Sequence, residues 1–160
     1  MPMTSHANGS DQHILLRLHA VSDVAWDEMR RLLDVVNAKG DVAGVWRGGN
    51  VQRDGAIVMP WVDFDEDAWG IVQLLYDTEL IIEFGWSEWL ETSGYTDGDD
   101  IPGPPIVDIV RLITAMVRVD RFSEGAILER FRDGTLPAAI HRLLDWHSAQ
   151  TPAPTSADLL

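Results

Sequence analysis

Two arginines and two carboxylates fall within seven residues: Arg118, Asp120, Arg121 and Glu124. Guanidinium groups clamp carboxylates and phosphates in a forked geometry, and a neighbouring acid can move a proton. Gathered round a pocket, these four side chains would suit a small enzyme or a ligand sensor. They also suit a plainer task. Asp120 and Glu124 can neutralise the arginines at a helix joint and set the angle between two helices.

Other chemistry-bearing residues give weaker patterns. His141 and His147 are six apart, as are His13 and His19, so neither pair stacks on one helix face. His141 and Asp145 share a face, but two ligands on one helix make a poor metal site. Asp63, Asp65, Glu66 and Asp67 crowd together without the glycine-punctuated spacing of a calcium loop. Asp97, Asp99 and Asp100 imitate such a loop, yet no glutamate follows at its twelfth position. Ser87 and Ser123 have no activating neighbour. Glycine-rich phosphate loops, nucleophile elbows and metalloprotease motifs are absent from the sequence. No catalytic residue, metal ligand or cofactor is therefore assigned.

The aromatic residues suggest binding instead. Four of the seven tryptophans, Trp61, Trp69, Trp86 and Trp89, lie in residues 55–90, a stretch without lysine or arginine. Core packing accounts for such residues in most proteins. Beside Asp65 and Glu66 they could also line a pocket for a cation or a basic peptide.

Charge narrows the choice of partner. The net charge is −14. Residues 54–108 hold 14 acids and no lysine or arginine, while the rest of the chain balances 12 acids with 12 bases. Phosphate contacts need lysine and arginine, so direct nucleic-acid binding through the middle third is disfavoured. An acidic face instead attracts basic proteins or peptides. An inhibitor that mimics DNA is one specialised form of this idea.

The elements that must position these residues follow from periodicity. A length of 160 residues with 46% hydrophobic content predicts one domain with a buried core. Residues 1–12 and 149–160 read as polar tails around a globular unit at 13–148. Residues 13–21 fit a strand or a short helix. Residues 23–38 predict a helix capped by Ser22 or Asp23, with Val24, Trp26, Met29, Leu32, Leu33 and Val36 on its apolar stripe and Gly40 as its stop. Strands are expected at 42–47 and 56–62, with Pro60 at a sheet edge or past the last ladder bond.

Asp65 is the expected N-cap of the next helix, whose buried face carries Ala68, Ile71, Val72 and Leu75. Gly70 inside that helix implies close approach by a neighbour, such as a tryptophan ring. Residues 80–84 predict another strand, and 86–90 a short helical turn. Residues 92–103 read as a loop. Three helices follow. The first spans 106–119 with Ile106, Ile109, Val110, Ile113, Met116 and Val117 on one face. Ser123 is expected to cap the second and Thr135 the third. The fold class is α+β: a small antiparallel sheet of two to four short strands on about five helices, with an all-helical C-terminal third. The last two helices have helix-turn-helix lengths, but residues 136–147 carry only Arg142, too little charge for a recognition helix.

The motifs at 59–61 (Met-Pro-Trp), 73–76 (Gln-Leu-Leu-Tyr), 84–89 (Phe-Gly-Trp-Ser-Glu-Trp) and 118–125 (Arg-Val-Asp-Arg-Phe-Ser-Glu-Gly) resemble a bacterial family of uncharacterised proteins, domain of unknown function 6508. The resemblance spans roughly residues 44–144 and is most specific at 118–125. It implies a class and brings no activity with it.

The opening residues lack the charged start and apolar run of a signal peptide, and no apolar stretch reaches the ~20 residues of a bilayer span. A cytoplasmic protein is expected, without membrane contact and with its oligomeric state open. The leading expectation is a non-enzymatic module that binds a basic protein or peptide through Trp61, Asp65, Glu66, Trp69, Trp86 and Trp89. The alternative is an enzyme or sensor built on Arg118, Asp120, Arg121 and Glu124.

Overall fold

Ser22 lies between the first two helices and starts the second. In the computed structural model, which describes residues 9–40, 43–95 and 103–150, its hydroxyl accepts the N–H of Ala25 at 3.2 Å and caps the second helix. That helix, α2 (Asp23–Lys39), buries Trp26, Met29, Leu32, Leu33 and Val36 and stops at Gly40. Val24 was expected on the same stripe, but it sits in the first turn, away from the core, and is 78% exposed. The ambiguous segment before it is helical: α1 (Asp11–Ala20), capped by Ser10, buries Ile14 and Leu18. Spacing by four, on the face turned to the core, is why it folds as a helix and not a strand.

The sheet has two strands. Strand β1 (Gly44–Arg47) pairs antiparallel with β2 (Trp61–Phe64), Arg47 facing Trp61 and Gly44 facing Phe64. The second strand therefore lies later than the expected 56–62. Gly48 and Gly49 both take φ near +78°, which swings the chain out of the ladder. A Cβ on Gly48 would meet the Met59 carbonyl at 2.6 Å. Beyond it the chain forms a hairpin arm with a single bridge between Val51 and Ile57. Pro60 sits just before β2, where its missing N–H costs no ladder bond.

Asp65 caps α3 (Glu66–Asp77), accepting the N–H groups of Asp67 and Ala68 at 3.1 and 3.2 Å. The buried face is Ala68, Ile71, Val72 and Leu75, as the periodicity predicts. The neighbour at Gly70 is Leu32 of α2, not a tryptophan. A Cβ there would lie 3.5 Å from the leucine methyl groups, an ordinary contact.

Residues 80–84 are buried at Leu80, Ile81 and Ile82 but form no strand. Glu79, with φ of +59°, turns the chain, and the Leu80 N–H closes on the Leu75 carbonyl. The Ile82 N–H donates to Thr114 Oγ1 at 3.2 Å, and that hydroxyl donates to the Leu80 carbonyl at 3.4 Å. One fully buried threonine thus replaces a strand partner. Then α4 (Trp86–Ser93) begins at Gly85 without a side-chain cap.

The C-terminal third is helical. Helix α5 (Ile106–Val119) buries Val107, Ile109, Val110, Leu112, Ile113, Thr114, Ala115 and Val117, nearly all its faces. It is the central helix, contacted by α1, α4, α6 (Ala126–Arg132) and α7 (Thr135–Gln150). Full burial of each large aliphatic side chain stabilises by roughly 1.5–3 kcal/mol. Ser123 does not cap α6. Gly125 holds the N-cap position without a side-chain cap bond, and the Asp120 carboxylate accepts the Ile127 N–H at 3.1 Å. Thr135 opens α7 by donating its N–H to Asp133 at 2.8 Å. The fold is α+β, with seven helices and a two-stranded antiparallel sheet among the described residues. The aspartates at 97, 99 and 100 and the outer parts of both expected tails, 1–8 and 151–160, lie outside the described residues.

Candidate functional site

The acids at the start of α3 are held by bases from earlier in the chain. Lys39 at the end of α2 donates to Asp65 at 3.0 Å and to Asp67 at 2.6 Å. Arg47 on β1 bonds Asp63 across the sheet at 2.6 Å. Burial pushes the Asp65 carboxyl up, but the Lys39 ammonium and the backbone N–H groups of Ala68 and Asp67 outweigh it and leave it below its ordinary value. Hydrogen bonds to Asp67 and Asp65 raise the Lys39 ammonium in return. Trp69 stacks on Phe64, ring centroids 5.2 Å apart, and Trp61 is half exposed on the sheet. Glu66 is exposed and makes no ion pair among the described residues.

The stretch 118–125 is the junction between the sheet and three helices. The Arg118 guanidinium lies 5.8 Å from the Tyr76 ring centroid on α3. Glu124 accepts the N–H of Val62 at 3.2 Å, covering the outer edge of β2. Arg132 donates to the Gly44 carbonyl at 3.4 Å on the edge of β1. Gly125, with φ of +91°, lies under the Trp46 ring, where a Cβ would clash with the ring carbons. Arg118, Asp120 and Glu124 thus serve separate contacts, and Arg121 is exposed.

The two later tryptophans frame open grooves on either side of the start of α4. Phe84, Gly85, Trp86, Ser87, Glu88 and Phe122 line one, of about 560 Å³. Its neighbour, of about 700 Å³, runs over Phe84, Glu88, Trp89, Thr92 and Arg111 beneath Gly9. Trp86 faces Phe122 with centroids 6.3 Å apart and ring planes inclined by 36°. Trp89 meets Phe84 edge-on at 5.8 Å and Tyr95 at 5.7 Å. Glu88 lines both grooves and has no ion pair among the described residues. Glu83 and Glu91, on either side of it in sequence, are exposed and likewise without an ion pair.

Arg111, the cation in the larger groove, is already committed. Its guanidinium bonds Asp108 at 2.7 Å, Asp11 at 2.6 Å and the Gly9 carbonyl at 2.7 Å. Burial works against its charge, but the two carboxylates raise it above its ordinary value.

Of the six residues expected to bind, Trp86 and Trp89 line two separate grooves at α4. Asp65 is spent on capping and on Lys39, and Trp69 on Phe64. Among the described residues none of the four tryptophans stacks on another. Sequence reasoning missed Phe84, Glu88 and Phe122 as site residues. Phe84 and Glu88 lie inside the 84–89 motif, so their place was legible. Phe122 lies inside the 118–125 motif, but its arrival beside Trp86 from the α5–α6 turn is a contact across 36 residues that local spacing does not encode.

Among the described residues no group of three or more acids and histidines is arranged to hold a metal ion, and no helix is long and apolar enough to cross a membrane. Residues 21–149 match a family described as a family of unknown function (DUF6508). No curated protein and no solved structure matches the chain.

Proposed function

The chain belongs to the family of unknown function DUF6508, and from that premise we propose that it is a cytoplasmic, non-enzymatic module whose α4 surface binds a basic segment of another protein. The observation that carries this reading is the position of Glu88. It lines both grooves beside Phe84, Trp86, Trp89 and Phe122 and makes no ion pair among the described residues. Tryptophan faces attract lysine and arginine, by about 0.5–1 kcal/mol when exposed and about 2 when desolvated. An uncompensated acid beside them adds charge complementarity and a faster encounter.

This reading rests on the acids near α4 and not on the whole acidic third. Asp63, Asp65, Asp67, Glu79 and Asp108 are paired with Arg47, Lys39, Arg17 and Arg111.

An array of short peptides of varied charge tests the proposal. Lysine- and arginine-bearing peptides should be retained, weaken as salt rises, and lose about fivefold in affinity with Glu88→Gln. Equal retention of acidic peptides, or binding indifferent to Glu88, would sink it.

A further inference from the structure

We propose that the groove formed by Phe84, Trp86 and Phe122 over Glu88 receives an alkylated ammonium group, in its protein-borne form a methylated lysine side chain. The inference rests on the reading above and names the ligand chemistry of the same surface.

Three aromatic side chains and one carboxylate line a single groove of about 560 Å³, within the size range of ligand sites. Trp86 and Phe122 lie 6.3 Å apart at a 36° inclination, so both rings border the same space. Phe84 supplies a third wall and is propped by Trp89 on its other side. A cation within about 6 Å of a ring centroid is attracted by the ring quadrupole, and tryptophan attracts it best. Glu88 provides the opposite charge.

What the groove lacks decides between cations. Glu88 is its one charged lining group, with the Ser87 hydroxyl as the other polar side chain. A plain lysine ammonium brings three N–H donors that aromatic walls cannot satisfy. A guanidinium brings five donors in a fork. Methylation removes donors, spreads the cation over apolar surface and keeps the charge. Aromatic walls with a single acid suit that species best. Phe122 is 82% exposed, so its ring is open to a ligand.

The test uses the full chain and one lysine peptide in its unmethylated, monomethyl, dimethyl and trimethyl forms. A neutral tert-butyl isostere of the trimethyl form and free tetramethylammonium complete the set. Binding is read by tryptophan fluorescence and calorimetry. The trimethyl peptide should bind about tenfold more tightly than both the unmethylated peptide and the neutral isostere. Phe122→Ala, which removes an exposed ring, should cut that preference to about twofold or less, and Trp86→Ala should do the same.

Equal binding of the isostere would show a merely apolar slot and overturn the inference. Equal binding of unmethylated peptide would also overturn it, while leaving the basic-segment reading intact. Tetramethylammonium binding with no peptide bound in any form would keep the cation chemistry and remove the peptide.

Discussion

The start of α3 and the start of α4 are both acidic, both rich in tryptophan and only twenty residues apart, yet they do opposite things. At α3, Asp65 caps the helix and, with Asp67, grips Lys39. Trp69 leans on Phe64. Every one of these groups is used to join α2, the sheet and α3. At α4, Gly85 leaves the helix start without a side-chain cap, Glu88 makes no ion pair among the described residues, and the rings of Trp86 and Phe122 border open space. The same residue types build a joint in one place and leave a surface in the other. Acid count and aromatic count alone therefore do not separate scaffold from site. The location of the compensating bases does.

That contrast can be broken most severely at the junction that carries Phe122 to α4. Gly125→Ala must strain a positive φ and push the Trp46 ring aside. It should lower unfolding free energy by roughly 2–3 kcal/mol in urea titration and weaken peptide binding through the displaced α5–α6 turn. A stability change under about 0.5 kcal/mol would show that the turn does not depend on this packing.

Thr114→Val acts next. It keeps the shape but strips the hydroxyl that serves Ile82 and Leu80. A loss of about 1–3 kcal/mol is expected, because a buried N–H is left without an acceptor. Faster amide exchange at Ile82 would locate the damage just before α4.

Asp65→Ala sharpens the α3 side of the comparison. Loss of the cap should cost about 1 kcal/mol. The sign of the pH effect is fixed by the lowered folded-state pKa. The contribution is present in full above the ordinary aspartate value near 3.8 and is lost as pH falls through the lower folded value. Wild type and Asp65→Ala should therefore converge in stability at acid pH. A gap that persists there would mean the carboxylate charge is not what holds the joint.

Glu88→Gln should have the smallest effect on stability, within about 0.5 kcal/mol. Its effect should appear in binding alone. If it destabilised the protein as much as Asp65→Ala, the two acidic regions would be equivalent and the α4 surface would be scaffold.

Much of the scaffold was legible before any coordinates. The stripe of α2, its Ser22 cap and Gly40 stop, the Asp65 cap and the buried face of α3 all follow from local spacing and capping chemistry. These signals are short-range, because a cap and its helix are neighbours in the chain. Residues 80–84 misled for the opposite reason. Their apolar run fits a strand, but their hydrogen-bond partner is Thr114, more than thirty residues away. Ser123 and Thr135 look like caps, whereas Asp120 and Asp133 accept the helix-start N–H groups.

By itself, then, the sequence determined an α+β chain with a helical C-terminal third, an acidic middle and the family to which it belongs. Only the tertiary structure decided which acids are neutralised. Lys39, Arg47 and Arg17 lie outside the acidic stretch and reach its carboxylates through the fold, whereas Arg111 meets Asp108 three residues away on the same helix. It also decided that Phe122 and Trp86 should share a groove. A side-chain contact between residues far apart in the chain depends on how helices pack, and no local pattern of residues encodes that distance.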